Sequence, residues 1–191
     1  MGVIAKASVP ALLASQKVVL LFQCHGNEAV AATFVIMPDT TMPAAPGSAV
    51  AYQIKEILGL EAMLEQHHLI EQLNPTMSRS RYEDLLQQML PNGYRMVGVF
   101  VAGRCVGLSG FWVNAKLYSG KYLEVDNFVV EAAHRSCGLG KALSDWLEQE
   151  ARLHLCDTIM LDAYVTNSAA HKFYFREGYH IKSYHFFKTL Q

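Results

Sequence analysis

Residues 135–141 read Arg-Ser-Cys-Gly-Leu-Gly-Lys, with glycines three and five positions after an arginine. The segment follows the apolar run Phe128-Val129-Val130 and opens an amphipathic stretch that continues to about His154. A strand, a glycine loop and a helix in that order suit the holding of phosphates. Glycines let backbone N–H groups come close to an anion, and a new helix adds unpaired donors and the positive end of its dipole. Upstream, Glu124 and Asp126 are two residues apart, so on an extended segment their carboxylates share one face unless a bulge intervenes. Downstream, Asn167-Ser-Ala-Ala-His-Lys-Phe-Tyr174-Phe-Arg-Glu-Gly178-Tyr179 forms a second cluster.

Spacing separates this loop from two familiar phosphate binders. A dinucleotide fingerprint needs a small residue three after Gly140, where the chain has Leu143. A Walker loop needs glycine five before Gly140 and Ser or Thr after Lys141, where the chain has Arg135 and Ala142. Both fail.

The elements that would position these residues can be read from periodicity. Val50–Ile57 reads as a strand, and Leu60–Leu73 as a helix stopped by Pro75. Ser80-Arg-Tyr-Glu83 matches a capping box for a second helix ending at Pro91. Tyr94–Val101 and Cys105–Asn114 read as a hairpin across Ala102-Gly103-Arg104, and Ser119-Gly120 turns the chain into a strand over Lys121–Val130. A helix from Leu139, a strand over Thr158–Tyr164, a helix over Ser168–Glu177 and a last strand over Ile181–Lys188 complete the order.

The first 48 residues differ. Lys17–Cys24 and Ala29–Met37 read as strands around His25-Gly-Asn-Glu28, followed by a proline-rich linker at 38–48. This piece is either an N-terminal extension carrying a hairpin or sequence upstream of a true start at Met42. Residues 49–191 form the expected domain.

A chain of 191 residues supports one sizeable core, and half its residues are hydrophobic. A net charge of −1 gives no basic field for nucleic acid, so any anion site is local. Cys24, Cys105, Cys137 and Cys156 lie far apart with no histidine at ligand spacing, which points to free thiols and no metal. No apolar run approaches the roughly 20 residues that span a bilayer, and the N-terminus does not read as a signal peptide. The expected location is cytoplasmic, away from membranes.

Arg-x-x-Gly-x-Gly after a strand whose upstream half carries carboxylates resembles the acyl-CoA loop of the GNAT superfamily of N-acetyltransferases. The second cluster is similar to that family's Asn-x-x-Ala-x-x-x-Tyr-x-x-x-Gly-aromatic signature, with Ala170 in the small-residue place. The resemblance is strong over 121–179, looser over 50–120 and absent from 1–48.

The resemblance implies an α/β fold of mixed α+β type. Its mostly antiparallel sheet of six to seven strands would be flanked by about four helices and splayed between the fourth and fifth strands. Backbone groups of Phe128, Val129 and Val130 would pair with the pantetheine arm as an added strand. Amides of Arg135, Ser136, Cys137, Gly138, Leu139, Gly140 and Lys141 would hold the pyrophosphate, while Asn167, Ala170, Phe173 and Tyr174 line the other wall.

The implied activity is transfer of an acetyl group from acetyl-CoA to a primary amine, on a small molecule or a protein, without a metal. A lysine-like amine is neutral about once in 2,500 molecules at pH 7, so a base is required. Glu124 lies where histone-type members carry theirs, and Asp126 where some polyamine-type members have an acidic residue. Tyr174 resembles the family's tyrosine acid, which gives the leaving thiolate a proton. Dimers are common in such families. The alternative is an acyl-CoA-binding module without turnover.

Overall fold

The computed structural model describes residues 51–190, and within residues 1–50 only the backbone pairing of β1 (Val18–Val19) with β2 (Val35–Ile36). The chain divides into two units, Met1–Thr40 and Thr41–Gln191. In the first, Val18 faces Ile36 and Val19 faces Val35 in antiparallel register. The expected turn at 25–28, the linker at 38–48 and Met42 lie outside the described residues.

In the second unit the order is β3 (Gln53–Glu56), α1 (Leu60–Leu64), α2 (His67–Leu73), α3 (Arg79–Met89), β4 (Arg95–Val101), β5 (Arg104–Lys116), β6 (Gly120–Val130), α4 (Leu139–Leu153), β7 (Thr158–Leu161) and α5 (Ser168–Arg176). The sheet order is β3-β4-β5-β6-β7, antiparallel except for the parallel pair β6–β7. Ala102 (φ 49°) and Gly103 (φ 81°) are both left-handed, which matches a tight turn to the twist of β4 and β5.

The sheet carries apolar side chains on both faces. On one, Val97, Val99, Phe111, Leu123 and Val125 pack against Leu139, Leu143 and Leu147 of α4. These α4 positions recur at three- and four-residue spacing, the stripe of a helix lying on a core. On the other face, Met96, Leu108 and Val129 pack against Leu69, Ile70, Tyr82 and Leu86 of α2 and α3. Arg95 ties β4 to both sides, contacting Glu56 of β3 and Glu150 of α4, the latter at 2.8 Å and only 3% exposed.

Four details differ from the sequence reading. The helix expected over 60–73 breaks in two, because Gln66 N–H donates to Met63 O in a tightened turn. The cap of α3 is Ser78, whose hydroxyl accepts from Arg81 N–H at 3.2 Å, so the box at Ser80 and Glu83 is not used. β7 ends at Leu161 instead of Tyr164. Ile181–Lys188 forms no strand, so among the described residues the sheet has five strands instead of six to seven. Ile181, Tyr184, Phe186 and Phe187 are 64–92% exposed. A strand needs an edge to pair with, and β7 offers four residues; just past its end, Asp162 Oδ2 lies 2.7 Å from His185 Nδ1 of the tail.

Candidate active site

β6 and β7 pair in parallel from Tyr122↔Thr158 to Val125↔Leu161, and there the ladder stops. β6 runs on to Val130, still paired with β5, so the fourth and fifth strands of this sheet part beyond Val125. An irregularity marks the place. Gly110 faces Asp126 while Leu108 faces Val129, so β6 carries an extra residue, and Asn127 takes a left-handed φ of 52°. This bulge lies after Asp126, so Glu124 and Asp126 keep the common face that alternation gives them.

A cavity of about 380 Å³ opens at the parting, lined by Trp112, Asn114 and Tyr122 at one end. Glu124, Asp126 and Phe128 of β6, with Leu161, Asp162 and Tyr174 across from them, complete the site. The expected carboxylates and the expected tyrosine therefore meet in one space.

Their environments differ. Burial raises the Asp126 carboxyl above the ordinary range, the nearby Glu124 charge adds to this, and hydrogen bonds from Asn127 and Trp112 partly offset it. Glu124 stands 3.8 Å from the Lys116 ammonium, which also sits 4.5 Å above the Tyr122 ring. Burial, with a smaller contribution from Tyr179, pushes the Tyr174 hydroxyl up to about 12. That ring is held by Phe128, Phe173 and Tyr179 at centroid distances of 6.2, 5.2 and 5.5 Å.

The glycine loop lies past the end of β6. Ser136 (φ 62°) and Gly138 (φ 81°) are left-handed, and Gly138 is the N-cap of α4. Such alternation curls successive N–H groups toward one concavity, the geometry of an anion nest. The first backbone bond of the helix is Ala142 N–H to Gly138 O, and the amides of Ser136 to Lys141 donate to no described carbonyl. Six donors are thus available to an anion. Arg135 Nε donates to Val130 O at 3.1 Å, and that carbonyl also accepts from Gln72 Nε2 at 3.2 Å. Of the backbone groups expected along the gap, the Val130 carbonyl is therefore already engaged. Lys141 lies 2.7 Å from Asp145, one turn along α4.

The second cluster forms α5. Asn167 caps it, accepting from Ala170 N–H at 3.1 Å. Phe173 packs on Phe128 with centroids 5.6 Å apart and lies 3.5 Å from where a Cβ on Gly140 would sit, so it joins loop, strand and helix. Cys137 is half-buried against the α4 core. Its neighbour His134 contacts Glu131 at 2.9 Å, clear of the cavity.

The sequence reading assigned none of Trp112, Asn114, Tyr122, Asn127 and Asp162 to the site. Trp112 and Tyr122 line the cavity, whereas Tyr118 is exposed. Register decides this. Trp112 faces Glu124 and Asn114 faces Tyr122 across the β5–β6 pair, which no local pattern reveals. Tyr94 lies beneath the site, buried against Trp112; a Cβ on Gly110 would meet its hydroxyl at 2.0 Å, so only glycine fits opposite Asp126.

Residues 61–179 match the Acetyltransferase (GNAT) family. The chain belongs to that family. A curated relative, aminoalkylphosphonate N-acetyltransferase of Salmonella typhimurium, is 30% identical over 89 residues, a stretch covering 46% of this chain and 58% of the relative. Among solved structures, the ribosomal-protein-alanine N-acetyltransferase from Brucella melitensis superposes with TM-score 0.63 at 22% identity, covering 74% of this chain and all of that one. An aminoglycoside N-acetyltransferase in complex with CoA gives TM-score 0.65 at 14% identity, covering 77% and 99%. The GNAT fold accounts for the parted strands. Among the described residues there is no group of His, Cys, Asp or Glu that could hold a metal ion, and no helix long and apolar enough to cross a membrane.

Proposed function

We propose that this chain is an N-acetyltransferase that moves an acetyl group from acetyl-CoA to a primary amine by direct attack. One observation carries the reading: the sheet parts beside a loop with six uncommitted amides, and Asp126 and Tyr174 face the cavity at the opening. The donor set suits CoA. Loop amides and the α4 N-terminus fit a diphosphate, and the unpaired edge of β6 at Phe128 and Val129 fits an amide-bearing arm.

When bound, acetyl-CoA supplies the thioester carbonyl. Asp126, made more basic by burial, takes a proton from the acceptor ammonium and frees its lone pair. Glu124 is the less suitable base, since it shares its charge with Lys116. The new C–N bond forms as the C–S bond breaks, the nitrogen's remaining surplus proton ends on the departing sulfur as a thiol, and the Tyr174 hydroxyl donates a hydrogen bond to that sulfur. Phe128, Phe173 and Tyr179 fix its ring for that task.

The test is thiol release from acetyl-CoA with a panel of primary amines, together with calorimetric binding of CoA. Amine-dependent thiol release supports the reading. Tight CoA binding with no turnover on any amine class would assign the chain to the binding-module alternative.

A further inference from the structure

We infer that the acceptor is a di- or polyamine, with Asp162 as the carboxylate that holds its second ammonium group. This rests on the proposed acetyltransferase reading of the same cavity and names its substrate class.

Three carboxylates, Glu124, Asp126 and Asp162, line the cavity, and no lysine or arginine is among the lining residues. Trp112, Tyr122, Phe128 and Tyr174 supply aromatic walls, surfaces that attract a cation as well as an alkyl chain. The chain's own Lys116 illustrates this affinity, its primary ammonium seated over the Tyr122 ring at 4.5 Å and beside Glu124 at 3.8 Å. From neighbouring elements, Lys116 on β5 lies 3.8 Å from Glu124, and His185 on the C-terminal tail lies 2.7 Å from Asp162.

The three carboxylates are not equivalent. Glu124 is shared with Lys116, and Asp126 is the proposed base. Asp162 is 62% exposed and lies 2.7 Å from His185, itself 65% exposed, a contact an incoming ammonium can displace. It follows Leu161, the last residue of β7 paired to β6, so it stands where the strands part and lines the same cavity as Asp126. The acceptor must bring two nitrogens to two carboxylates that line one cavity of about 380 Å³. A short aliphatic diamine meets that requirement. One nitrogen gives a first proton to Asp126, forms the C–N bond as the C–S bond breaks, and sheds a second proton that ends on the leaving sulfur; the other nitrogen stays protonated at Asp162. An aminoalkylphosphonate, the acceptor named for the Salmonella relative, would instead bring an anion against three carboxylates.

The experiment compares putrescine, spermidine, n-butylamine and 2-aminoethylphosphonate as acceptors for the full chain with acetyl-CoA, read by thiol release. Putrescine and spermidine are expected to exceed both monoamines in kcat/KM by roughly tenfold or more, the combined effect of an ion pair and cation–π contact. Asp162→Asn should raise KM for putrescine and cut its advantage over n-butylamine by roughly 3- to 10-fold, with CoA affinity retained as the check on folding. Asp162→Glu should restore the preference. Equal use of n-butylamine, preference for the phosphonate, or an Asp162→Asn variant with unaltered selectivity would overturn this inference and leave the acetyltransferase reading intact. Turnover of no amine would remove both.

Discussion

Replacing Tyr174 by phenylalanine deletes one oxygen and keeps the ring that packs on Phe128, Phe173 and Tyr179. The proposed role of that oxygen fixes the size of the loss. A hydroxyl held at about 12, against an ordinary tyrosine near 10, resists ionisation by about 3 kcal/mol more than one in water. Full transfer of its proton to a thiolate of pKa about 8.5 would be uphill by about 5 kcal/mol. Tyr174 therefore acts through a hydrogen bond that strengthens as charge develops on sulfur. Hydrogen bonds to charged groups contribute about 1.5–3 kcal/mol, equivalent to roughly 10- to 150-fold in rate. Saturating turnover of Tyr174→Phe, followed by thiol release with putrescine, should fall by that factor while the Kd for CoA stays within about twofold. No fall in turnover from ionisation of this group is expected below about pH 10. Turnover of the variant within about twofold of the parent would refute the assignment.

Three further outcomes follow from the structure. Gly138→Val places a branched side chain at φ 81°, costing of order 1–2 kcal/mol in the loop and crowding the uncommitted amides, so calorimetry should show CoA bound more weakly by tenfold or more, about 1.4 kcal/mol. Asp126→Asn should lower turnover by at least about 10²-fold yet raise Tm at neutral pH. Because the folded-state pKa of Asp126 is raised, the folded state holds this proton longer, so stability falls as pH rises from the ordinary carboxyl value through the raised one. The asparagine variant escapes that loss, and its Tm advantage should vanish below the ordinary value. Arg95→Met removes the arginine shared by Glu56 and the buried Glu150, which keeps His154 at 3.1 Å, and urea titration should show a loss of about 1–3 kcal/mol.

Several parts of the molecule were legible because they are written locally. The loop from Arg135 to Lys141, the stripe of α4 and the cap and aromatic run of α5 depend on spacing along one segment, which a helix or turn converts directly into geometry. The tail from Ile181 to Lys188 misled for the complementary reason. Its β-branched and aromatic residues favour extended chain, but a strand exists only beside a partner edge, and β7 ends at Leu161. Likewise Ser78 and Ser80 both satisfy the residue preference for a cap, and only the position of the first helical turn selects Ser78.

The chain's residue order by itself determined the family motifs, the helix that follows the glycine loop and the shared face of Glu124 and Asp126. Tertiary structure decided the rest of the site: that Asp162 joins Asp126 in one cavity, that Trp112 and Tyr122 wall it while Tyr118 does not, and that Val130's carbonyl is already bonded. These are facts of register between strands distant in sequence. Hydrogen-bonded pairing and the packing of both sheet faces set that register jointly, and neither is contained in any single segment.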